Sequence, residues 1–496
     1  MAGDDAAGRM DAPVSDRGRL DPTDWAAFRA TCHRAVDEMV DWWESVRERP
    51  VWRPMPDAAK QALAAPPPWH GTPLDEVMAD FRDHILAYPN GNAHPGFLGW
   101  VHGSGTPVGA LAEFLAGGLN ANLGGREHAA IYVEREVIGW ARQVFRLPET
   151  ASGILVGGTS MATVLAIAAA RQAHAGGDAR REGLQGRDAA LTGYASREAH
   201  GCVAKAFELL GLGRDNLRLV AARADHAMDP MALAAAVEAD RDAGRQPFVV
   251  VGSAGTVNTG AIDPLEAIAE LCAEQRLWFH ADAAFGGLAL LAPELAPRLA
   301  GIERADSVAF DFHKWLHVPY DAGCVLIRDE RLHRAAFALR PDYLAAAERG
   351  LAGGNPWFTE YGVDLSRGFR ALKVWFTLRT FGLDRLGETI AVNCRQARAL
   401  GERIAAEPEL ELLAPVSLNI ACFRYRDAPE EELDRLNALV VVELQERGIA
   451  APSTTQIGGR LAIRACLCNH RTEQRDLDAL VDGVLQLGRD QRRASR

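Results

Sequence analysis

The sequence predicts an α/β protein with a mostly parallel β-sheet, because short apolar runs alternate with segments of helical periodicity. Parallel sheets of this kind bind ligands beyond the carboxyl ends of their strands, and glycine-rich turns follow several of the runs. The apolar runs lie at 153–156, 248–251, 277–282 and 307–310, and helical patterns follow at 161–173 and 264–275.

The remaining chain predicts three further parts. Residues 1–22 contain no apolar segment and are expected to form a disordered tail. In residues 24–47 apolar and aromatic side chains recur at helical spacing, so this helix is expected to pack either on the main domain or on a second subunit. We therefore predict a helical N-terminal segment at 23–105, a large domain at 106–380 and a small α+β domain at 381–496.

Composition excludes several classes of function. Lys and Arg total 54 against 66 Asp and Glu, and this net charge of −12 argues against a nucleic-acid surface. No run reaches the roughly 18 apolar residues of a membrane span, so we expect no membrane contact and a cytoplasmic location. Eight cysteines are scattered without zinc-ligand spacing, which predicts a reduced protein without a metal.

Four features point to chemistry when they are taken together. Thr159 and Ser160 follow two glycines at a predicted helix start, where N–H groups and hydroxyls bind phosphate, although such residues are more commonly helix caps. Asp282 ends an apolar strand. If it has no role in the chemistry, it is a solvated loop residue. Lys314 lies among aromatic residues, which would desolvate it and lower its pKa, unless it is a surface lysine. His200 gains interest only from the other three.

This order of residues is the one that a pyridoxal-5′-phosphate (PLP) enzyme requires. Lys314 would bind the cofactor as a Schiff base, Asp282 would keep the pyridine nitrogen protonated, and the turn at 157–160 would hold the phosphate. A dinucleotide-binding fold is the main alternative, since 103–109 is glycine-rich. However, its third glycine is one residue late and Pro107 interrupts the motif.

At these residues the sequence resembles the group II PLP-dependent amino-acid decarboxylases, of the aromatic-L-amino-acid and glutamate decarboxylase type. The similarity runs from about residue 25 to residue 490, and its most specific motifs are His-Ala-Asp-Ala-Ala at 280–284, His-Lys-Trp at 313–315 and His-Pro-Gly-Phe at 94–97. The resemblance implies the aspartate-aminotransferase fold (fold type I) and a homodimer with composite active sites. It favours packing of the N-terminal helices on a second subunit.

The resemblance also implies a role for each matching residue around the cofactor. Lys314 would form the covalent bond, and Asp282 would pair with the protonated ring nitrogen. His200 and Ala284 would lie against the two faces of the ring. The contacts to the phosphate would come from Thr159, Ser160, Asp311 and His313. Thr256 would contact the cofactor or the substrate.

Tyr343 falls in the mobile catalytic loop of the family. There the matching tyrosine helps to protonate the substrate carbon after CO2 leaves, whereas relatives with phenylalanine produce aldehydes by oxidative deamination. Tyr343 therefore favours simple decarboxylation, and we predict it as a catalytic residue together with Lys314, His200 and Asp282.

The substrate is an L-amino acid whose side chain the sequence leaves open. Phe97, Trp100 and His102 follow the His-Pro motif and suit an aromatic substrate such as tyrosine, DOPA, tryptophan or phenylalanine, which we favour. Asn122 lies in a segment expected to reach over from the other subunit, and its Asn-x-Asn spacing resembles the glutamate and cysteine-sulfinate branch. Arg126 would pair with a substrate carboxylate or, more simply, with a neighbour or solvent. Arg464 matches a C-terminal arginine near the active site, and we predict that it contacts substrate.

Overall fold

The computed structural model describes residues 19–186, 188–339 and 347–494, which separate into two compact units. The first unit contains residues 19–48 and 55–87, and the second contains residues 49–54 and 88–494. The domain boundaries predicted from the sequence stay a prediction. No helix in the described parts of the chain is long and apolar enough to cross a membrane.

The first unit is helical. Its helices are α1 (Trp25–Glu44), α2 (Asp57–Ala62) and α3 (Leu74–Asp80), with a π-helical turn at Phe81–Leu86. Asp24 caps α1, because its carboxylate accepts hydrogen bonds from the first free N–H groups of the helix. The apolar face predicted for α1 is partly exposed in the single chain, notably at Trp25, Val36 and Val40.

Twelve strands in the described part of the second unit form two sheets. The strands are β1 (Phe97–Leu98), β2 (Ser152–Val156), β3 (Leu191–Ser196), β4 (Leu217–Val220), β5 (Gln246–Ser253), β6 (Trp278–Asp282), β7 (Ser307–Asp311), β8 (Gly323–Ile327), β9 (Leu410–Leu412), β10 (Ile420–Tyr425), β11 (Ala451–Ile457) and β12 (Arg460–Cys466).

Helices cover both sheets. They are α4 (Pro107–Leu119), α5 (Ala129–Val144), α6 (Thr159–His174), α7 (Ala179–Glu182), α8 (Cys202–Leu209), α9 (Pro230–Asp242), α10 (Leu265–Gln275), α11 (Phe312–Trp315), α12 (Glu330–Phe337), α13 (Arg370–Ala406), α14 (Glu430–Glu446) and α15 (Gln474–Ala494). In α13 the backbone leaves the helical conformation at Gly382, whose φ is 73°.

The larger sheet has the order β2-β8-β7-β6-β5-β3-β4. The five strands from β7 to β4 are parallel, whereas β8 is antiparallel to both of its neighbours. Except for the edge strand β4, its strands are largely buried on both faces, as the continuous apolar runs predict, and α6 is buried against them. The predicted α/β fold with a mostly parallel sheet is therefore confirmed.

The smaller sheet has the order β1-β11-β12-β10-β9 and is antiparallel except for the β1–β11 pair. A second apolar core, formed by this sheet and the facing sides of α13, α14 and α15, lies beside it. Since β1 comes from residues 97–98 and β11 from residues 451–457, this sheet joins distant parts of the chain.

The predicted elements match closely where the pattern was strong. The four apolar runs become β2, β5, β6 and β7, and the two helical patterns become α6 and α10. Helical periodicity at 386–405 predicts a helix, which is the second part of α13; α13 itself begins earlier, at Arg370. The first part was not predicted, because Gly382, where the backbone leaves the helical conformation, separates it from the predicted helix.

Candidate active site

A cavity of about 400 Å³ lies at the carboxyl ends of the strands in the larger sheet. The turn at 157–160 follows β2, His200 follows β3 and Thr256 follows β5. Asp282 is the last residue of β6, and Lys314 lies in α11 directly after β7. All of these line the cavity, so the fold brings together residues that are up to 157 positions apart in the sequence.

Lys314 is held by Asp311. The Nζ atom of Lys314 lies 3.0 Å from Oδ2 of Asp311, and only 22% of the lysine side chain is exposed. Burial is the largest single effect and lowers the pKa of Lys314, as the sequence predicted, but the charge and hydrogen bond of Asp311, together with the charges of Asp282 and Cys202, raise the net pKa. The expected lowering was wrong in sign, because the sequence showed the aromatic neighbours and not the ion pair.

The turn at 157–160 fits a phosphate group. The backbone N–H of Thr159 donates to Oδ1 of Asp311 at 2.7 Å. The hydroxyl Oγ1 of Thr159 is buried in the cavity wall without a hydrogen-bond partner in the described residues. Ser160 presents an exposed hydroxyl in the first turn of α6. A buried unpaired hydroxyl at a helix N-terminus is satisfied by an anionic ligand such as phosphate.

Asp282 fits a cationic ring nitrogen. It is buried, and one of its carboxylate oxygens accepts a hydrogen bond from the N–H of Ala284 at 3.2 Å. Burial raises the pKa of Asp282, although the positive charge of Lys314 opposes this effect. A cation bound beside this carboxylate would restore its ionised form, which is the charge pairing that a pyridinium nitrogen supplies.

Two histidines in the cavity carry their proton on Nε2 when they are neutral. Nδ1 of His200 accepts the N–H of Cys202 at 3.2 Å, and Nδ1 of His313 accepts the N–H of Ala322 at 3.0 Å. Burial lowers the pKa of His313, with Asp311 opposing. Nε2 of His313 lies 3.7 Å from Oδ2 of Asp311. The N–H on this nitrogen is available to an anion beside the turn.

Thr256 and Ala284 complete the predicted cofactor contacts in the cavity wall. The hydroxyl of Thr256 is buried and accepts the N–H of Ala261 at 3.2 Å, so the chain holds it in place. Gly255, directly before it, has φ 104°, a conformation that a glycine adopts without strain. Ala284 presents a small side chain, which leaves room for a flat ring.

The predicted substrate contacts divide into two groups. Trp100 and His102 line the cavity. Phe97 does not, because it belongs to β1 and is buried against Val51 and Ala451. Its ring packs behind His102, with centroids 5.8 Å apart. Phe97 therefore supports the wall from behind in this chain instead of forming its surface.

Arg464 also lies behind the wall. The residue is 3% exposed, and it is not among the residues that line the cavity. Its guanidinium donates hydrogen bonds to the carbonyls of Asn258, Trp100 and Val257 at 3.1, 2.9 and 2.6 Å and to the hydroxyl of Ser453 at 3.4 Å. Since Trp100 and Val257 both line the cavity, Arg464 connects two parts of its wall.

Two predicted residues do not reach the cavity of their own chain. Oδ1 of Asn122 accepts the N–H groups of Gly124 and Arg367, and Asn122 does not line the cavity. The guanidinium of Arg126 lies over the ring of Trp357 at 4.7 Å, an arrangement that the sequence did not suggest. A role for Asn122 in the site of a partner subunit stays a prediction. Tyr343 lies outside the described residues.

Sequence reasoning missed Tyr320. Its ring lines the cavity and lies 4.3 Å from the ring of His313 and 6.1 Å from that of His102. Burial is the main cause that raises the pKa of its phenol, which is protonated at neutral pH. The available signal was an aromatic residue six positions after Lys314, which is too common to stand out without the three-dimensional contacts.

The glycine-rich stretch at 103–109 has a structural explanation. A Cβ on Gly103 would lie 1.9 Å from the carbonyl oxygen of His313, so only glycine allows this approach to the lysine-bearing turn. Thr106 caps α4, since its hydroxyl accepts the N–H of Gly109. The stretch supports the site through close packing, and this argues against the hypothesis that it binds a dinucleotide.

The fold and this set of side chains are those of an enzyme that binds PLP. The chain belongs to the pyridoxal-dependent decarboxylases, because the model of the pyridoxal-dependent decarboxylase conserved domain matches residues 56–426. It is therefore a PLP-dependent carboxy-lyase.

Relatives of known name agree with this membership. The aromatic-L-amino-acid decarboxylase of Bacillus atrophaeus is 32% identical over 458 residues, which cover 91% of this chain and 93% of the relative. The phenylacetaldehyde synthase of Arabidopsis thaliana is 27% identical, over 92% of this chain and 94% of the relative. The crystal structure of Oryza sativa TDC with PLP and tryptamine has a TM-score of 0.87 and 28% identity, over 95% of this chain and 100% of that chain.

Proposed function

We propose that the enzyme decarboxylates an aromatic L-amino acid to the corresponding amine and CO2. The observation that supports this substrate class is the wall of the cavity formed by Trp100, His102 and Tyr320, on which an aromatic side chain can stack. The name of the Bacillus atrophaeus relative, aromatic-L-amino-acid decarboxylase, supports the same class.

The cofactor is held at three points in this proposal. Lys314 would bind it covalently through Nζ. Asp282 holds a proton at the ring nitrogen, and its burial strengthens that pairing. Thr159, Ser160 and His313 bind the phosphate. When bound, PLP supplies an electron sink for the electron pair that remains after CO2 departs.

The remaining residues orient the substrate and move protons. His200 and Ala284 would hold the ring of the cofactor, and Thr256 would contact the cofactor or the substrate. His200 presents its N–H at Nε2, because Nδ1 is occupied by the N–H of Cys202. Tyr343 delivers the proton to the α-carbon after CO2 leaves.

We also propose that the enzyme is a cytoplasmic homodimer with composite active sites. Four large apolar residues of α4 are exposed in the single chain, and such a patch is typical of a surface that another subunit covers. They are Leu111, Phe114, Leu115 and Leu119. All eight cysteines are unpaired, which fits a reducing compartment.

A direct experiment tests the lysine and the reaction together. Purified protein with PLP should be yellow and should release amine and CO2 from aromatic L-amino acids. Lys314→Ala should lose both the colour and the product, whereas Lys60→Ala, which changes an exposed lysine, should keep both. Colour that survives dialysis in Lys314→Ala would show that another residue binds the cofactor.

The substrate screen separates the alternatives. It should contain tyrosine, DOPA, tryptophan and phenylalanine beside glutamate, aspartate, cysteine sulfinate and 2,4-diaminobutyrate. Amine from the acidic set or from 2,4-diaminobutyrate, without amine from the aromatic set, would overturn the proposed substrate class.

A decarboxylating aldehyde synthase is the second candidate, because the Arabidopsis thaliana relative is named phenylacetaldehyde synthase. Tyr343 argues against it. Ammonia and hydrogen peroxide formed in step with CO2 would identify the synthase, and amine with CO2 alone identifies the decarboxylase.

A further inference from the structure

His102 is held in a fixed plane within the aromatic wall of the cavity. Its ring is stacked with that of Phe97 at 5.8 Å and 11° between planes, and with that of Trp100 at 5.6 Å and 26°. The ring of Tyr320 meets it edge-on at 6.1 Å and 78°. Three aromatic contacts therefore set the direction in which its two nitrogens point.

The ring presents a hydrogen-bond donor on its free side. Nδ2 of Asn90 donates to Nδ1 of His102 at 3.3 Å. Burial, with a contribution from the charge of Lys314, lowers the pKa of His102, so the imidazole is neutral at neutral pH. A neutral imidazole whose Nδ1 accepts a hydrogen bond carries its proton on Nε2. Among the described residues Nε2 has no hydrogen-bond partner.

His102 lies away from the phosphate end of the cavity. His313 marks that end, since it lies beside Asp311, which accepts the N–H of Thr159 in the 157–160 turn. Tyr320 contacts His313 on one side and His102 on the other. His102 is thus one aromatic ring further from the turn, where the side chain of a substrate has room.

The aromatic amino acids differ in what they offer to an N–H donor. The phenol oxygen of tyrosine or DOPA accepts a hydrogen bond. The indole of tryptophan has only a donor, and phenylalanine has neither. A donor that loses water without gaining an acceptor weakens binding, so sites built for a hydroxyl reject analogues that lack it.

We propose that His102 determines specificity and selects aromatic L-amino acids that bear a ring hydroxyl, through a hydrogen bond from Nε2 to the phenol oxygen. This rests on the proposed function and narrows its substrate class. His102 touches the substrate side chain and takes no part in breaking the bond to CO2.

Steady-state kinetics with L-tyrosine, L-phenylalanine and L-tryptophan tests this role. In the wild type kcat/KM should be at least about tenfold higher for tyrosine than for the other two. His102→Phe keeps the stacking and removes the donor, so the tyrosine preference should fall by about 10- to 100-fold, mostly through loss on tyrosine. His70→Phe, at an exposed position, should keep the wild-type ratio.

A second variant and a binding measurement keep the result independent of turnover. His102→Gln retains an N–H donor and should keep more of the preference than His102→Phe. Calorimetry of the PLP-loaded protein should show that tyramine binds more tightly than phenethylamine in the wild type and about equally in His102→Phe.

Each outcome has a separate meaning. An unchanged tyrosine-to-phenylalanine ratio in His102→Phe, or equal amine affinities in the wild type, would overturn the role of His102 and leave the aromatic decarboxylase in place. Absence of amine from every aromatic amino acid would overturn the proposed function and this inference together.

Discussion

The carboxylate of Asp311 contacts two hydrogen-bond donors. One carboxylate oxygen lies 3.0 Å from Nζ of Lys314, and the other accepts the N–H of Thr159 at 2.7 Å. The same side chain therefore joins the lysine to the phosphate turn. Its charge opposes the effect of burial on the pKa of Lys314 and raises that pKa. The amine must lose its proton before it can bind the cofactor covalently.

Asp311→Asn should accelerate cofactor capture near neutral pH. The amide keeps an oxygen acceptor for Thr159 but removes the negative charge, so the pKa of Lys314 should fall and more of the amine is neutral. Trapping the covalent PLP adduct by reduction, as a function of pH, measures this. The pH at which the rate is half-maximal should move down by at least about one unit. An unchanged profile would mean that Asp311 does not control the lysine.

At the scale of elements, Arg464 ties β12 to two separate segments of the cavity wall. Its bonds go to the carbonyl of Trp100 and to those of Val257 and Asn258, which follow Trp100 by more than 150 residues along the chain. A planar guanidinium can hold several carbonyls in fixed directions, whereas an ammonium is a single point of charge. The geometry therefore matters more than the charge.

Arg464→Lys separates a wall-holding role from a direct contact with the substrate carboxylate. If the planar guanidinium holds the wall, the lysine variant should raise KM about tenfold, which corresponds to the loss of roughly 1.4 kcal/mol of hydrogen bonding. Its PLP content should stay normal. If the charge binds the carboxylate directly, lysine should largely preserve KM. Steady-state kinetics and cofactor absorbance on the two proteins distinguish these cases.

At the scale of the whole molecule, buried histidines connect stability to pH. Burial lowers the pKa of His280 and of His333 to about 4, from an ordinary value near 6.5. A folded-state pKa below the unfolded one stabilises the native state above pH 6.5, and that stability is lost as the pH falls toward 4. Asp263 acts in the opposite sense, because burial raises its pKa to about 6.

His280, His333 and Asp263 together should therefore lower the free energy of unfolding by about 3 kcal/mol between pH 7.5 and pH 5, since each of the two histidines contributes about 2 kcal/mol and Asp263 offsets about 1 kcal/mol. Guanidinium unfolding at the two pH values measures the change. His333→Gln should remove about 2 kcal/mol of this pH dependence. Equal pH dependence in the wild type and His333→Gln would contradict this account.

The sequence by itself determined the α/β fold and the positions of β2, β5, β6 and β7, and it indicated Lys314 as the candidate cofactor lysine. These features are local: a buried strand is a continuous apolar run, and a parallel sheet places the ends of such runs at one edge. Since Asp282 and Lys314 lie at two of those ends, the pattern along the chain predicted that they lie close together. The first part of α13 lies before the break at Gly382 and was not predicted in this way.

Only the tertiary structure decided what surrounds those residues. The sign of the change in the pKa of Lys314 depends on how close Asp311 lies, which apolar patterns do not encode. Phe97 and Arg464 lie behind the cavity wall, and Tyr320 lies in it, because β1 pairs with β11 across the chain and the segment after Lys314 folds back over His313. Contacts between distant segments depend on packing in three dimensions, and so the chemistry could be predicted along the chain while the shape of the pocket could not.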